Sequence, residues 1–212
     1  MKTIEVNLYE FDELSDAAKE KARDWWRQCE AETFGHHGEL FDDTERIAEI
    51  LGITFERHNV PLMGGSKRSE PNIRWQLHVQ GSGASFSGRY AYGKDSVKQI
   101  MQYAPNDREL HRIARELQQI QRHYSHKLTA RITTDGREVH KYAMDLEAFK
   151  DNGDYANDAD TQDLLELMRD FADWIYAMLQ QEWEYRMSDE NVDESIRINE
   201  YTFRENGKRS DG

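Results

Sequence analysis

The longest regular pattern in the chain lies between Thr161 and Arg186, where Leu164, Met168, Phe171, Ile175 and Met178 recur at three- and four-residue spacing. Leu165, Ala172 and Leu179 widen this stripe to the breadth of a buried helix face. Glu166, Arg169, Asp170, Asp173, Gln181 and Glu184 occupy the other side, which faces water because unpaired charges are costly to bury. Asp158, Asp160 and Asp163 crowd the start, where free backbone N–H groups and the positive end of the helix dipole favour carboxylates. The spacing predicts one long helix with an apolar face toward a core and an acidic face toward solvent.

The rest of the chain reads as shorter elements. Thr3 to Tyr9 alternates as a strand, and Ser15 opens a helix to about Glu32 with Ala18, Ala22, Trp25 or Trp26, and Cys29 inward. A second helix, Glu39 to Leu51 with Leu40 inward, stops at Gly52 in a left-handed cap. Ile53 to His58 is a short strand, and Val60 to Asn72, with two prolines and Gly64-Gly65, is expected to be a mobile loop. Ile73 to Gln80 and Ala84 to Tyr92 alternate about Gly81-Ser82-Gly83, the signature of a hairpin. Asp95 caps a helix to Tyr103. Asn106-Asp107-Arg108-Glu109 opens another that turns Leu110, Ile113, Ala114, Leu117 and Ile120 inward as far as His126. Lys127 to Thr134 and Glu138 to Leu146 are strands joined at Asp135-Gly136. Ser188 caps a short helix, and Asn199 to Arg204 is a last strand.

Hairpins with segregated helices imply an α+β fold, a mainly antiparallel sheet covered on one face by helices, including one long C-terminal helix. The 212-residue length fits a single domain over residues 1–204, followed by a flexible polar tail over 205–212. Composition, at 37% apolar and 11% aromatic, supports a packed core and excludes a disordered chain. One cysteine, Cys29, leaves no intrachain disulfide and fits a reducing cytoplasm. No apolar run is long enough for a membrane span, and MKTIEVNLYE has no signal-peptide core, so the expected location is the cytoplasm.

The formal charge of −13 is concentrated: Asp145 to Ser195 carries 16 Asp plus Glu against 3 Lys plus Arg, and the remaining residues balance. A dense negative surface speeds encounter with a basic partner, repels nucleic acid and can imitate the phosphates of a duplex. Asp158, Asp160, Asp163, Glu166, Asp170, Asp173 and Glu184 are the candidate partner-binding residues. A second candidate is a phosphate or nucleotide pocket formed by Gly64, Gly65, Ser66, Lys67 and Arg68 with Arg74, His78, Arg89 and Tyr92, since glycines expose N–H groups and the cations neutralise charge. The loop lacks Walker spacing, and the plain alternative is a turn. His36-His37 and His123 with His126 lack the companions of a metal site, and no cofactor motif is present. Cys29 lies on an apolar stripe, no serine occupies a nucleophile elbow, and no residue is assigned a catalytic role.

Leu8-Tyr9-Glu10-Phe11-Asp12-Glu13-Leu14-Ser15-Asp16-Ala17-Ala18, followed by Trp25-Trp26-Arg27, resembles a group of small acidic proteins encoded by tailed phages and prophages. Ile198 to Phe203 with Asn206-Gly207-Lys208-Arg209 resembles the same group. That group has no agreed role and no catalytic residues to transfer. The resemblance implies a setting, in which accessory proteins block host defence or sequester signalling nucleotides. The leading expectation is therefore an inhibitor in the host cytoplasm that docks a basic host protein, with a nucleotide sponge as the alternative and an enzyme of unrecognised type as a third. The sequence leaves the oligomeric state open.

Overall fold

The computed structural model describes residues 7–34, 41–62, 64–77, 81–136 and 138–210. The elements are α1 (Asp16–Thr33), α2 (Asp42–Leu51), β1 (Ile53–Phe55), β2 (Arg57–Pro61), β3 (Lys67–Pro71), β4 (Ile73–Gln76), β5 (Gly83–Phe86), β6 (Gly88–Ala91), α3 (Ser96–Tyr103), α4 (Arg108–His123), β7 (Thr129–Thr134), β8 (Met144–Phe149), α5 (Asp158–Met187) and α6 (Asp189–Ile198). The fold is α+β with antiparallel pairing throughout these strands, as the sequence pattern implies. The chain groups into two compact units, one of residues 38–179 and one of residues 1–37 with 180–212.

In the larger unit the four-stranded sheet runs β1-β6-β7-β8, and two-stranded ladders join β2 to β3 and β4 to β5. Burial alternates along β7 and β8, so one face of the sheet is packed and the other is open. The packed face meets the apolar stripe of α5. Phe171 lies with its ring centre 6.5 Å from Phe55, 5.9 Å from Phe86 and 5.7 Å from Trp174, forming an aromatic stack from sheet to helix.

The three strand breaks β1/β2, β3/β4 and β5/β6 coincide at Glu56, Asn72 and Ser87. These residues bond one another: the Ser87 hydroxyl donates to Glu56 at 2.9 Å and accepts from the Asn72 amide at 2.5 Å. Their backbones also pair, Glu56 N–H to Ser87 O at 2.9 Å and Asn72 N–H to Glu56 O at 2.6 Å. The chain thus bends here without orphaning polar groups. Next to the bend, Gly88 is required because a Cβ there would fall on the carbonyl oxygen of Thr54.

Several expected boundaries shift. Val60–Asn72, expected to be a loop, is largely a strand hairpin pairing Val60 with Arg68 and Pro61 with Lys67 around Gly64-Gly65. Its strands are mostly polar and exposed, so no alternation betrays them. Asp135-Gly136 does not close a tight hairpin: Thr134 pairs with Met144, and the connection contains a 3₁₀ turn over Lys141–Ala143. The His140 imidazole accepts from Tyr142 N–H there, a local bond that competes with strand pairing. The Gly52 cap is left-handed at φ 86°, as expected.

In the smaller unit, α1 and α6 pack through Ala18, Ala22, Val192 and Ile196 around Phe11 and Phe203. Arg23 grips Asp193 through Nε and Nη2 at 2.7 and 2.8 Å, and Arg186 meets Glu30 at 2.9 Å. The expected last strand reduces to a bridge from Phe203 to Tyr9, the end of the expected first strand; most of that first strand, residues 3–6 with Ile4 and Val6, lies outside the described residues, as does Leu40. Phe203 bridges in turn to Arg209, with a turn at Gly207 between them. Cys29 is half-buried.

Two stability measurements test this packing. Gly88→Ala is expected to cost about 3 kcal/mol by forcing the β1–β6 pair apart, read as a lower denaturant midpoint at unchanged slope. Burial pushes the Tyr90 phenol from 10.0 up to about 12, with a hydrogen bond from Gln121 offsetting part of the shift. A raised folded value means that this contribution is complete below the unfolded pKa and lost as pH rises from 10 toward 12. Tyr90→Phe should flatten that alkaline limb.

Candidate functional site

The acidic face of α5 meets a polar stripe of α4. Glu116, Gln119 and His123 recur at helical spacing beside Ile120 on α4, and Asp160, Asp163, Glu166 and Asp170 flank Leu167 on α5. Together these residues line a groove of about 470 Å³ with an apolar floor of Ile120 and Leu167.

Asp107 fixes the two helices at one end of their shared length. Its carboxylate caps α4 by accepting from Leu110 N–H at 2.9 Å, and its other oxygen accepts from the Trp174 indole N–H at 2.7 Å. Gln121 fixes the other end of α4. Buried completely, it donates to Leu128 O at 2.8 Å and accepts from Leu128 N–H at 3.1 Å, holding the turn through Ser125 and His126, both at positive φ.

Asp160 sits where α5 begins. Asn157 Oδ1 accepts from Asp160 N–H at 2.8 Å as the helix cap. The Asp160 carboxylate accepts from Tyr124 at 2.8 Å and from Asn157 Nδ2 at 2.7 Å, and lies 3.3 Å from His123 Nδ1. Burial pushes its pKa up, but the bonds from Tyr124, Asn157 and His123 outweigh that and hold it below 3.8.

The seven acidic candidates therefore differ in role. Asp160, Asp163, Glu166 and Asp170 share the groove. Glu166 pairs with Arg169 at 2.7 Å and Asp170 with Arg112 at 2.6 Å. Asp173 meets Lys141 at 2.5 Å, Asp158 is exposed in the first turn, and Glu184, which accepts from Gln180 at 2.9 Å, belongs to the smaller unit. Arg112 also binds Glu109 and Glu116, so one cation serves three carboxylates. Negative charge remains in excess: five carboxylates line the groove, and Arg112 and Arg169 are the arginines that neutralise members of that set among the described residues. Glu116 and His123 were not singled out by charge counting along the chain; a helical projection of α4 identifies them.

The phosphate candidates occupy several strands. Gly64 and Gly65 form the β2–β3 turn in open space, followed by Ser66 and Lys67, and Arg68 pairs with Glu70. Arg74 donates to Gly136 O at 2.6 Å, Arg89 projects from the open face of β6 opposite Arg131, and the Tyr92 ring lies 4.4 Å from that of His126. His78, like His36 and His37, lies outside the described residues. Among the described residues, no hydrogen bond, ion pair or ring contact joins Arg74, Arg89 and Tyr92 to one another. Among the described residues, too, no helix is long and apolar enough to cross a membrane.

A family model described as a domain of unknown function, DUF8835, matches residues 36–189, a span that contains α4, α5 and the groove between them. No curated protein and no solved structure matches the chain.

Because Asp160 has a depressed folded pKa, its stabilisation is present above 3.8 and is lost as pH falls through the lower folded value. Asp160→Ala should cost about 1–2 kcal/mol at neutral pH through loss of the bonds at the helix start, and should flatten the acid limb of the stability profile. Denaturant titrations of both proteins across that range check it.

Proposed function

The chain belongs to the DUF8835 family, and we propose that it works by binding: it is a phage accessory protein that neutralises a host defence or nucleic-acid-processing protein by docking one of that protein's basic segments in the α4/α5 groove. The observation that carries this reading is the lining of that groove, five carboxylates over an apolar floor. Lysine and arginine side chains combine an aliphatic stem with a cationic head, so Ile120 and Leu167 match the stem and the carboxylate rim matches the head. The apolar floor distinguishes this place from an ordinary solvated helix face. The phage setting rests on the resemblance at the two ends of the chain.

The useful variant spares the carboxylates that hold the fold. Asp160 builds the start of α5 and Asp170 shares Arg112 with α4, whereas Asp163 is exposed and Glu166 and Glu116 form pairs at its side. Glu116→Gln, Asp163→Asn and Glu166→Gln combined should weaken binding of a short Arg- and Lys-rich peptide about tenfold or more and flatten its salt dependence. Isothermal titration over a salt series provides the measurement. Equal affinities and equal salt slopes for the two proteins would remove the groove as the docking surface.

A further inference from the structure

Four of the six arginines of the smaller unit are tied to carboxylates, Arg23 to Asp193, Arg27 to Asp189, Arg186 to Glu30 and Arg197 to Asp12, while Arg204 is exposed and makes no ion pair among the described residues. Arg209 departs from this pattern. Its guanidinium carbon lies 4.7 Å from the ring centre of Trp25 and 4.6 Å from that of Tyr201, in the corner of two rings meeting at 85°. Among the described residues its guanidinium makes no ion pair and no hydrogen bond. The aromatic rings hold the cation while leaving its N–H edge without an acceptor.

The backbone fixes this arrangement. Arg209 bridges to Phe203, and the turn between them passes Gly207 at φ 79°, where a Cβ would fall on the carbonyl oxygen of Ala18. The turn is therefore seated directly on α1. On α1, Lys21 lies one helical turn before Trp25, and Lys208 precedes Arg209; both lysines are exposed. These groups, with Asn206, line a cavity of about 370 Å³ with no carboxylate among the described residues that line it.

We propose that this cavity binds the oxyanion of a small phosphate-bearing molecule. A phosphate monoester presents three oxygens and up to two negative charges, which the three cations lining one cavity match in number and sign. The volume falls in the range of small-molecule sites, about 300–1,000 Å³. A long polyanion is disfavoured, because a chain of net charge −13 repels each phosphate that extends beyond the local basic patch. The lining residues lie outside the family-matched span, and none of them lines the acidic groove.

The test uses the whole chain with inorganic phosphate, a nucleoside monophosphate and a single-stranded oligonucleotide as probes, followed by calorimetry and tryptophan fluorescence. The monophosphate should bind, and Lys21→Ala with Lys208→Ala should weaken it about tenfold or more at unchanged thermal midpoint. Arg209→Lys, which keeps the charge and loses the fork, should weaken it as well. Lack of binding of both phosphate and monophosphate to the unmodified chain, or equal binding by the double variant, overturns the site. Tighter binding of the oligonucleotide than of the monophosphate overturns the assignment to a small molecule.

Discussion

Phe171 is the constraint on which the larger unit depends. A helix carrying an apolar stripe has one orientation in which that stripe is removed from water, and the Phe55–Phe86–Phe171 contacts fix the orientation against the sheet. Trp174, one turn before Met178, extends the stack, and its indole N–H finds the Asp107 carboxylate. That carboxylate also caps α4, so burial of α5 and the start of α4 share one residue. The acidic side of α5 is brought beside α4 because its apolar side is committed to the core.

Legibility in the sequence follows from the range of the interaction. The Leu164–Met168–Phe171–Ile175 stripe is a local periodicity, and it gives α5 to within a few residues at each end. The Asp107 cap and the glycine cap at Gly52 are likewise local. Contacts between distant residues leave no such trace. The meeting of Glu56, Asn72 and Ser87 is a product of strand pairing, and the exposed β2–β3 hairpin has no apolar alternation to reveal it. Gln121 reads as another polar position on α4, yet it is fully buried because the backbone of Leu128 and the Tyr90 phenol satisfy its amide.

The candidate groove was half legible for the same reason. Counting charge along the chain marks the carboxylates of α5, but Glu116 and His123 lie some 40 positions earlier and become neighbours only through packing. Counting also overstates the free charge. Asp170 and Asp173 meet cations from other elements, and Glu166 meets Arg169 on its own helix. Exposed pairs of this kind contribute little to stability, about 0–1 kcal/mol each, but they reduce the local field. What distinguishes the groove is the ratio, since Arg112 divides one positive charge among Glu109, Glu116 and Asp170.

The same reasoning applied to cations selects Arg209. In a chain with 41 acidic residues against 28 basic ones, a guanidinium has many available partners, and most arginines of the smaller unit take one. Arg209 instead packs against Trp25 and Tyr201, which satisfy its faces but none of its N–H donors. Aromatic packing alone is a structural role, and a methionine or leucine would fill that corner without carrying a charge there. The neighbouring Lys21 and Lys208 add two more positive charges where attraction to a carboxylate would relieve the repulsion among them, and among the described residues no carboxylate lines the cavity. An unrelieved cluster of like charges stores binding energy for an anion, and that is the physical ground for placing an oxyanion there.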